Sequence, residues 1–295
     1  MISHLLLVVN PRSGNGRAVK RARAFLDQCT RRGINGTIID TLGKDEMIFR
    51  VSAELLSREY DGIIIVGGDG LFHALLPLLQ SKAIPFTVIA AGTGNDFARA
   101  IGTFKSTDIQ IIEKIQSQEA TPVDSIVIGH RGNETIAGQV VSLGFDALVN
   151  ERANQISYLA GKIKYVIAML QVLTTFKPIE FTINVDGKEF TRRAMLIVIA
   201  NGPNYGGGMK ICPPANHSDG VLDLVILNEV PLITLIRVFP RVYTGSHTRH
   251  KAVELHRGQS IMINADAKAF ADGEYIDRLP LKAAVAPGAL KVWTL

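Results

Sequence analysis

The stretch Gly62-Ile63-Ile64-Ile65-Val66-Gly67-Gly68-Asp69-Gly70 joins an unbroken apolar run to a glycine-rich turn. Such an apolar run is typical of a strand that is buried on both faces, as in a parallel sheet covered by helices. Glycines directly after the strand let backbone N–H groups approach phosphate oxygens, and a following helix adds its positive N-terminal dipole. The stretch therefore predicts an α/β layer with a phosphate site at the end of this strand.

Two more polar, glycine-rich turns follow predicted strands, at Asn10–Gly16 and at Gly92–Asp96. Because the carboxyl ends of parallel strands meet at one edge of a sheet, all three turns are expected at the edge where ligands bind. The Walker A pattern G-x-x-x-x-G-K-[ST] is absent, and the Gly14-x-Gly16 turn lacks the third glycine of the dinucleotide fingerprint. The turns therefore predict a phosphate site that belongs to neither standard class.

The pattern of apolar residues changes near Asp124. Before it, apolar runs alternate with helically spaced segments, which predicts an α/β nucleotide-binding domain over 1–124. After it, longer alternating runs predict an antiparallel β-sandwich domain over 125–280. The predicted strands are Leu5–Asn10, Thr37–Thr41, Gly62–Val66, Phe86–Ile89, Ser125–His130, Thr135–Leu143, Ile179–Asp186, Phe190–Asn201, Ser260–Asn264 and Ala283–Val292. The predicted helices are Gly16–Arg32, Lys44–Ser57, Leu71–Leu79, Tyr158–Thr175 and Leu232–Tyr243.

Composition restricts the class of protein. The 295 residues carry a net charge of +5, which suits an enzyme that handles polyphosphate or visits an anionic surface. With only 6% aromatic residues, the chain offers no base-stacking platform, so nucleic acid is not an expected partner. Its apolar runs are far shorter than the ~20 residues of a membrane-spanning helix, and its start does not resemble a signal peptide. We expect a soluble, cytoplasmic protein in which Cys29 and Cys212 are reduced and buried or half-buried.

The ordered set of motifs resembles a known family. Asn10-Pro11-x-Ser13-Gly14, Gly67-Gly68-Asp69-Gly70 and Gly92–Arg99 are similar to motifs of the diacylglycerol kinase catalytic domain, and more narrowly to bacterial soluble lipid kinases of the YegS and BmrU kind. Further matches extend the resemblance over the whole length. They are Gly206-Gly207-Gly208, the stretch Pro214–Asp223 and Asp272-Gly273-Glu274.

The resemblance implies an ATP- and Mg²⁺-dependent kinase of a lipid hydroxyl, most directly one that converts diacylglycerol to phosphatidic acid in phospholipid biosynthesis. It also implies that the end of the chain, about 281–295, returns to the first domain. The residues implied to bind ATP are Asn10, Pro11, Arg12, Ser13, Gly14, Thr41, Gly67, Gly68, Asp69, Gly70, Leu71, Phe72, His73, Gly92, Thr93, Gly94, Asn95 and Asp96.

Two metal sites follow from the same resemblance. Asp69, Asp96 and Asp124 are implied to form an acidic cluster at the nucleotide Mg²⁺. A separate structural metal is implied in one loop, held by Asn216, Asp219 and Val221. The resemblance further implies peripheral contact with a membrane lipid at the inner membrane surface, and a homodimer.

An alcohol acceptor is a poor nucleophile, so a carboxylate within hydrogen-bond reach should take its proton. Asp272-Gly273-Glu274 predicts a tight turn between two β segments that could present both acids. We favour Glu274 as the proton acceptor, with Asp272 as its orienter or rival. Asp69 is a third candidate, because it is expected beside the γ-phosphate.

The residues after Gly70 depart from the family pattern. Leu71-Phe72-His73-Ala74 stands where many members have Thr-Leu-Asn-Glu, and Leu-x-His is similar to the sphingosine and ceramide kinase variant. The change removes a hydroxyl and a carboxylate beside the phosphates, so it bears on activity, metal affinity and lipid choice. A nucleotide- or lipid-binding regulatory protein with weakened catalysis is therefore an alternative.

An NAD kinase-like phosphotransferase is a second alternative, because that family shares Gly-Gly-Asp-Gly. Here Gly-Thr-Gly-Asn-Asp follows in the region where NAD kinases have Asn-Glu, which favours a lipid kinase.

Two segments of the second domain have open interpretations. Ser246–Lys251 predicts a basic, solvated loop, which together with Arg237 and Arg241 could also meet anionic lipid headgroups. The predicted helix Tyr158–Thr175 carries an apolar surface that fits either a lipid cleft or an ordinary core face. That surface consists of Tyr165, Ile167, Met169 and Leu170.

Overall fold

The computed structural model describes residues 2–40, 43–117, 120–144, 149, 152, 155–156, 168, 171–172 and 177–295. Thr41 and the predicted apolar surface of helix Tyr158–Thr175 lie outside the described residues. The chain divides into two compact units. Unit 1 is Met1–Val123 with Gly288–Leu295, and unit 2 is Asp124–Pro287.

Unit 1 alternates strands and helices. Its strands are β1 (His4–Val9), β2 (Asn35–Asp40), β3 (Gly62–Gly67) and β4 (Phe86–Ala90). Its helices are α1 (Ala18–Thr30), α2 (Lys44–Ser57), α3 (Asp69–Lys82), α4 (Asp96–Ala100) and α5 (Asp108–Ser117), with a 3₁₀ turn at Thr103–Lys105. The sequence predicted these elements to within a few residues, except α4, α5 and the 3₁₀ turn. The α/β fold class is confirmed.

The sheet of unit 1 is parallel, in the order β2-β1-β3-β4. Phe25 of α1 and Ile112 of α5 pack with Leu7 and Val66 in one core cluster. Helices therefore cover this sheet, which explains why β3 has no polar residue. The register Val9↔Val66 and Val66↔Ile89 aligns the carboxyl ends of β1, β3 and β4. The three glycine-rich turns thus leave the same edge of the sheet, as predicted.

Unit 2 is built mainly from antiparallel strands. They are β5 (Thr121–His130), β6 (Asn133–Ala137), β7 (Val140–Gly144), β8 (Ile179–Val185), β9 (Lys188–Ala200), β10 (Leu222–Asn228), β11 (Val253–Gly258), β12 (Ser260–Asn264), β13 (Lys268–Ala271), β14 (Glu274–Arg278) and β15 (Leu281–Val292). The long strand β9 pairs with β7, β8 and β10, and a single large core cluster includes Phe181, Ile197 and Leu224. The predicted β-sandwich class is confirmed. At the end of β15, Val292 pairs with Phe86 of β4, so the chain returns to unit 1 as expected.

One predicted strand is wrong. The sequence predicted a single strand over Thr135–Leu143, whereas the structure has β6 and β7 with a break at Gly138 and Gln139. The break arises because the Asp272 carboxylate accepts the backbone N–H groups of Gly138, Gln139 and Val140, at 2.7, 2.9 and 3.0 Å. A contact from more than a hundred residues away therefore divides the strand.

The helical segment after β10 consists of α6 (Leu232–Val238) and 3₁₀ turns at Phe239–Tyr243 and Ser246–Arg249. The predicted solvated loop is wrong at His247, which is buried and whose Nε2 lies 3.0 Å from the Ile211 carbonyl oxygen. Burial lowers the pKa of this histidine. In the described part of the chain, no helix is long and apolar enough to cross a membrane.

Both cysteines are buried, as predicted, and neither forms a disulfide. Burial raises the pKa of the Cys29 thiol and of the Cys212 thiol to about 12, because the thiolate loses its hydration. At neutral pH the two groups therefore remain protonated thiols, which are poor nucleophiles and poor metal ligands.

The carboxylate of Glu254, on β11 of unit 2, has several side-chain partners. Its carboxylate accepts from Arg192 Nε at 3.0 Å and from Asn228 Nδ2 at 2.6 Å, which lowers its pKa to about 2. We expect Glu254→Gln to reduce the free energy of unfolding by about 1–2 kcal/mol at pH 7. The charged form is the stabilised one, so the difference should shrink as pH falls from about 4.5 towards 2.

Urea unfolding of both proteins at pH 7, 5 and 4 measures this difference. Glu229→Gln is the matched control, because Glu229 pairs with Arg193 at 2.9 Å but is half exposed. We expect its effect to stay within about 0.5 kcal/mol at every pH. A Glu254→Gln difference that is unchanged or larger at pH 4 would contradict the assignment of the low pKa.

Candidate active site

The three glycine-rich turns of unit 1 pack against one another through their backbones. Gly14 has φ +60°, and a Cβ at this position would lie 2.9 Å from the Ala91 carbonyl oxygen. A Cβ on Gly92 would lie 2.4 Å from the Gly68 Cα, closer than any side chain permits. Glycine at these positions therefore allows the turns to form one continuous backbone surface at the carboxyl edge of the sheet.

Asp69 links two of these turns by hydrogen bonds. It is the first residue of α3, and its Oδ1 accepts the backbone N–H groups of Asp96 at 2.7 Å and of Phe97 at 3.2 Å. Behind this contact the rings of Phe72 and Phe97 stack with centroids 3.8 Å apart. The carboxylate thus caps α4 and holds the N-termini of α3 and α4 side by side.

The carboxylates of Asp69 and Asp96 converge at Gly94. The position that a Gly94 Cβ would take lies 2.5 Å from Asp69 Oδ2 and 3.5 Å from Asp96 Oδ2. Asn95 holds the turn in place, because it has φ +57° and its side chain bonds both the N–H and the carbonyl of Gly92, at 2.8 and 2.7 Å. Two carboxylates completed by phosphate and water are the ligand set that Mg²⁺ prefers. The turns therefore fit a nucleotide polyphosphate together with its divalent cation.

The other predicted nucleotide-binding residues take several positions. Arg12, Gly70 and Thr93 are exposed at the turns, and Asn10 Oδ1 accepts the Arg12 N–H at 3.0 Å. Leu71, Phe72 and His73 have buried side chains, and the Phe72 ring belongs to the aromatic stack. These three residues could therefore reach a nucleotide mainly through their backbones. Many family members have Thr, Leu and Asn at these three positions. The departure from the family pattern therefore lies on the buried side of α3.

Asp124 lies in unit 2, where it organises the loop that contains Asp219. It is 3% exposed, and its Oδ2 accepts the Gly220 N–H at 2.8 Å. Its carbonyl accepts from the side chain of Asn201 at 2.8 Å. Within the described residues of each unit, no three His, Cys, Asp or Glu side chains form a group that could hold a metal. The structure thus brings Asp69 and Asp96 together, and the three-carboxylate cluster with Asp124 stays a prediction.

In the loop predicted to hold a structural metal, the guanidinium of Arg257 pairs with the acidic side chains. Asp219 Oδ1 accepts the Val221 N–H at 3.3 Å, and its Oδ2 pairs with the Arg257 guanidinium. Arg257 Nε also lies 3.2 Å from Oδ1 of Asp223, which is 2% exposed and whose pKa is raised by burial. Asn216 Oδ1 accepts the Ser218 N–H at 3.2 Å. As the described residues are arranged, this loop does not fit a divalent cation, because the guanidinium supplies the positive charge.

Asp272 and Glu274 have different surroundings. Asp272 has φ +49° and Gly273 φ +92°, which makes the predicted tight turn between β13 and β14. Both Asp272 oxygens accept from the Gly138–Val140 amides, so this carboxylate holds a turn. Glu274 is exposed at the start of β14, and among the described residues no hydrogen bond or ion pair engages its carboxylate. Of the two acids, Glu274 is therefore the one whose carboxylate is exposed and is not used to hold the turn.

Sequence reasoning missed Asn201, Arg257 and Asp223. Asn201 directly follows β9, and its Nδ2 donates to the carbonyls of Asp124 and Gly138 at 2.8 and 3.0 Å. It therefore joins the Asp124 loop to the turn that Asp272 holds. A polar residue directly after the apolar second half of β9, followed by Gly202 and Pro203, was a usable signal for Asn201. No local pattern marks the pairing of Arg257 with Asp219 and Asp223.

Unit 2 also contains an apolar cavity of about 70 Å³. The strands β9 and β10 line it on one side, and α6 with the following 3₁₀ turn lines it on the other. Its walls include Met195, Val198, Val225, Leu235, Val238 and Phe239. Such a cavity is chemically suited to hydrocarbon rather than to a polar ligand.

Two family models match the chain. Residues 4–128 match the diacylglycerol kinase catalytic domain, and residues 139–294 match the YegS C-terminal NAD kinase beta sandwich-like domain. Together the matches include the glycine-rich turns, the Asp219 loop and the Asp272-Gly273-Glu274 turn.

Curated relatives cover nearly the whole chain. A protein named diacylglycerol kinase from Mycobacterium tuberculosis (strain CDC 1551 / Oshkosh) is 32% identical over 99% of this chain and 95% of the relative. A second, also named diacylglycerol kinase, from Bacillus subtilis (strain 168), is 28% identical over 93% of this chain and 90% of the relative.

A solved structure of a diacylglycerol kinase from Bacillus anthracis str. Sterne has the same fold. It covers 100% of this chain and 97% of that chain, with a TM-score of 0.73 at 19% sequence identity.

Proposed function

The chain belongs to the diacylglycerol kinase catalytic-domain family and is a lipid kinase, and we propose that it transfers the γ-phosphate of ATP, with Mg²⁺, to the hydroxyl of diacylglycerol, giving phosphatidic acid. The observation that carries this proposal is the 32% identity to a protein named diacylglycerol kinase, which extends over 99% of this chain.

The turns of unit 1 account for nucleotide binding. The Gly14, Gly68 and Gly92 backbones can approach the phosphates because no Cβ intervenes, and the N-termini of α3 and α4 add positive dipole ends. Asp69 and Asp96 are the residues that would hold a divalent cation. When bound, Mg²⁺ would neutralise charge on the phosphates. The role of these residues is therefore to position the γ-phosphate.

In the transfer step, the acceptor oxygen forms a bond to the γ-phosphorus while the bond from this phosphorus to the β–γ bridging oxygen breaks, and ADP leaves. The hydroxyl proton passes to a carboxylate, for which we propose Glu274, since the oxygens of Asp272 accept three backbone N–H groups. Asp272 is then a positioning residue that fixes the turn on which Glu274 lies.

An NAD kinase-like activity is the competing proposal, because the second domain matches a model described as NAD kinase beta sandwich-like. That description concerns the fold of the second domain. The first domain matches the diacylglycerol kinase catalytic model, and the full-length relatives carry the same name. We therefore place the lipid acceptor first.

The test is phosphate transfer from γ-labelled ATP with Mg²⁺ to diacylglycerol in mixed micelles. We expect labelled phosphatidic acid, and no labelled NADP when NAD replaces the lipid. Sphingosine and undecaprenol in the same micelles test the acceptor class. Product from either one but none from diacylglycerol would overturn the substrate, and tight ATP binding without transfer to any acceptor would favour a regulatory protein.

A further inference from the structure

Helix α6 is apolar on two sides. Leu235 and Val238 face inwards and line the cavity with β9 and β10. Leu232, Ile233 and Ile236 face outwards and are 41%, 54% and 44% exposed. Because each residue advances about 100° around a helix, these three side chains lie within one arc of about 100°. They form a contiguous apolar surface, which we call the outer face of α6.

The charges along the segment that contains the outer face have one sign. From Val230 to Lys251 the chain has four Lys and Arg residues and no Asp or Glu. Arg237 and Arg241 are exposed, and Arg237 is adjacent to the apolar arc on the helix surface. The nearest acid before this segment, Glu229, is already paired with Arg193 at 2.9 Å. A surface of this kind is complementary to a bilayer whose headgroups are anionic.

We propose that the outer face of α6 docks on an anionic lipid bilayer. Leu232, Ile233 and Ile236 insert at the boundary between headgroups and acyl chains, while Arg237 and Arg241 contact lipid phosphates. This inference rests on the proposed function, since a lipid kinase must meet its acceptor at a membrane. It goes further by assigning the contact to one helix, whose inner face lines the apolar cavity.

Flotation of the intact protein with lipid vesicles tests the surface directly. We expect binding to vesicles that contain about a third phosphatidylglycerol, weak binding to pure phosphatidylcholine, and loss of binding as salt is raised. The triple variant Leu232→Gln, Ile233→Gln, Ile236→Gln should lower the partition coefficient by at least about 30-fold. Arg237→Ala and Arg241→Ala should each lower it by about 5-fold, and only for anionic vesicles.

The matched control lies on α2 of unit 1. Phe49 and Leu56 are 73% and 79% exposed. The double variant Phe49→Gln, Leu56→Gln therefore removes a comparable area of exposed apolar surface and leaves α6 and its arginines unchanged. This control should bind vesicles as the parent protein does. Circular dichroism and thermal unfolding confirm that the variants remain folded. Unchanged vesicle binding by the folded triple variant would overturn the proposal.

Two further measurements distinguish membrane docking from the proposed kinase activity and from dimerisation. Activity on a short-chain diacylglycerol that is dissolved as monomers should be unchanged in the triple variant. If the parent protein binds vesicles but has no kinase activity, the proposed function is refuted and the docking surface is retained. Light scattering tests a second copy as the occupant. A parent dimer that the triple variant converts to monomers, with vesicle binding retained, would assign the outer face to a subunit interface and overturn the membrane proposal.

Discussion

Replacing Asp69 by Asn is expected to lower kcat by about 10²- to 10³-fold while the protein stays folded. An asparagine Oδ1 can still accept the backbone N–H groups of Asp96 and Phe97, so the contact between α3 and α4 is retained. What the variant loses is a negative charge that lies beside Asp96 at the glycine turns. The loss should therefore appear in transfer and in cation-dependent nucleotide binding.

Calorimetric titration with ATP supplies a readout that does not depend on turnover. The parent protein should bind ATP more tightly when Mg²⁺ is present, and Asp69→Asn should lose most of that gain. Asp69→Ala should in addition lower the free energy of unfolding by about 1–3 kcal/mol, because two N–H groups lose their acceptor. A kcat of Asp69→Asn within threefold of the parent value would refute the assignment.

Asp61→Asn is the matched control for this series. Asp61 also accepts two backbone N–H groups in unit 1, those of Ser3 at 2.6 Å and His4 at 2.9 Å. It precedes β3, so it lies at the amino end of the strand whose carboxyl end carries Asp69. We expect its kcat and its ATP affinity to match those of the parent protein, which would exclude a general effect of neutralising such a carboxylate.

Sequence reasoning was most successful for the parallel sheet. Apolar runs such as Ile63–Val66 are buried on both faces, so composition alone marks them, and the glycine after each run marks its end. Helix α4 was missed because it has only five residues and is held by Asp69 rather than by its own periodicity. Helix α5 carried a usable signal in Ile111, Ile112 and Ile115, which share one buried face.

Side-chain roles depend on contacts that are distant in sequence, and these were the least predictable. Nothing local shows that Asp272 holds the Gly138–Val140 turn or that Asp124 binds the Gly220 N–H. Asp69 and Asp96 lie close together because topology brings the ends of neighbouring parallel strands to one edge. Asp124 follows no such rule, since it begins a unit whose strands are antiparallel. Topology therefore predicts which edge of the sheet carries the site, and side-chain packing determines which carboxylates lie there.

Glu274→Gln is expected to lower kcat by about 10²- to 10⁴-fold, the usual contribution of a general base. Its thermal stability and ATP affinity should be unchanged, since the side chain is exposed and, within the described residues, makes no hydrogen bond or ion pair. Arg278→Gln is a control, because Arg278 is exposed at the other end of β14 and pairs with exposed Asp266.

Asp272→Asn should behave differently, because this substitution disrupts the Gly138–Val140 turn that the carboxylate holds. The Asp272 oxygens accept from three N–H groups, whereas an asparagine offers one carbonyl oxygen and would turn an N–H donor towards at least one of them. We expect a loss of about 1–3 kcal/mol in the free energy of unfolding, with kcat falling in parallel. If Asp272→Asn instead kept its stability and lost its kcat while Glu274→Gln kept its kcat, the two carboxylates would exchange roles. Stability and kcat, measured on both variants, thus separate the base from the residue that positions it.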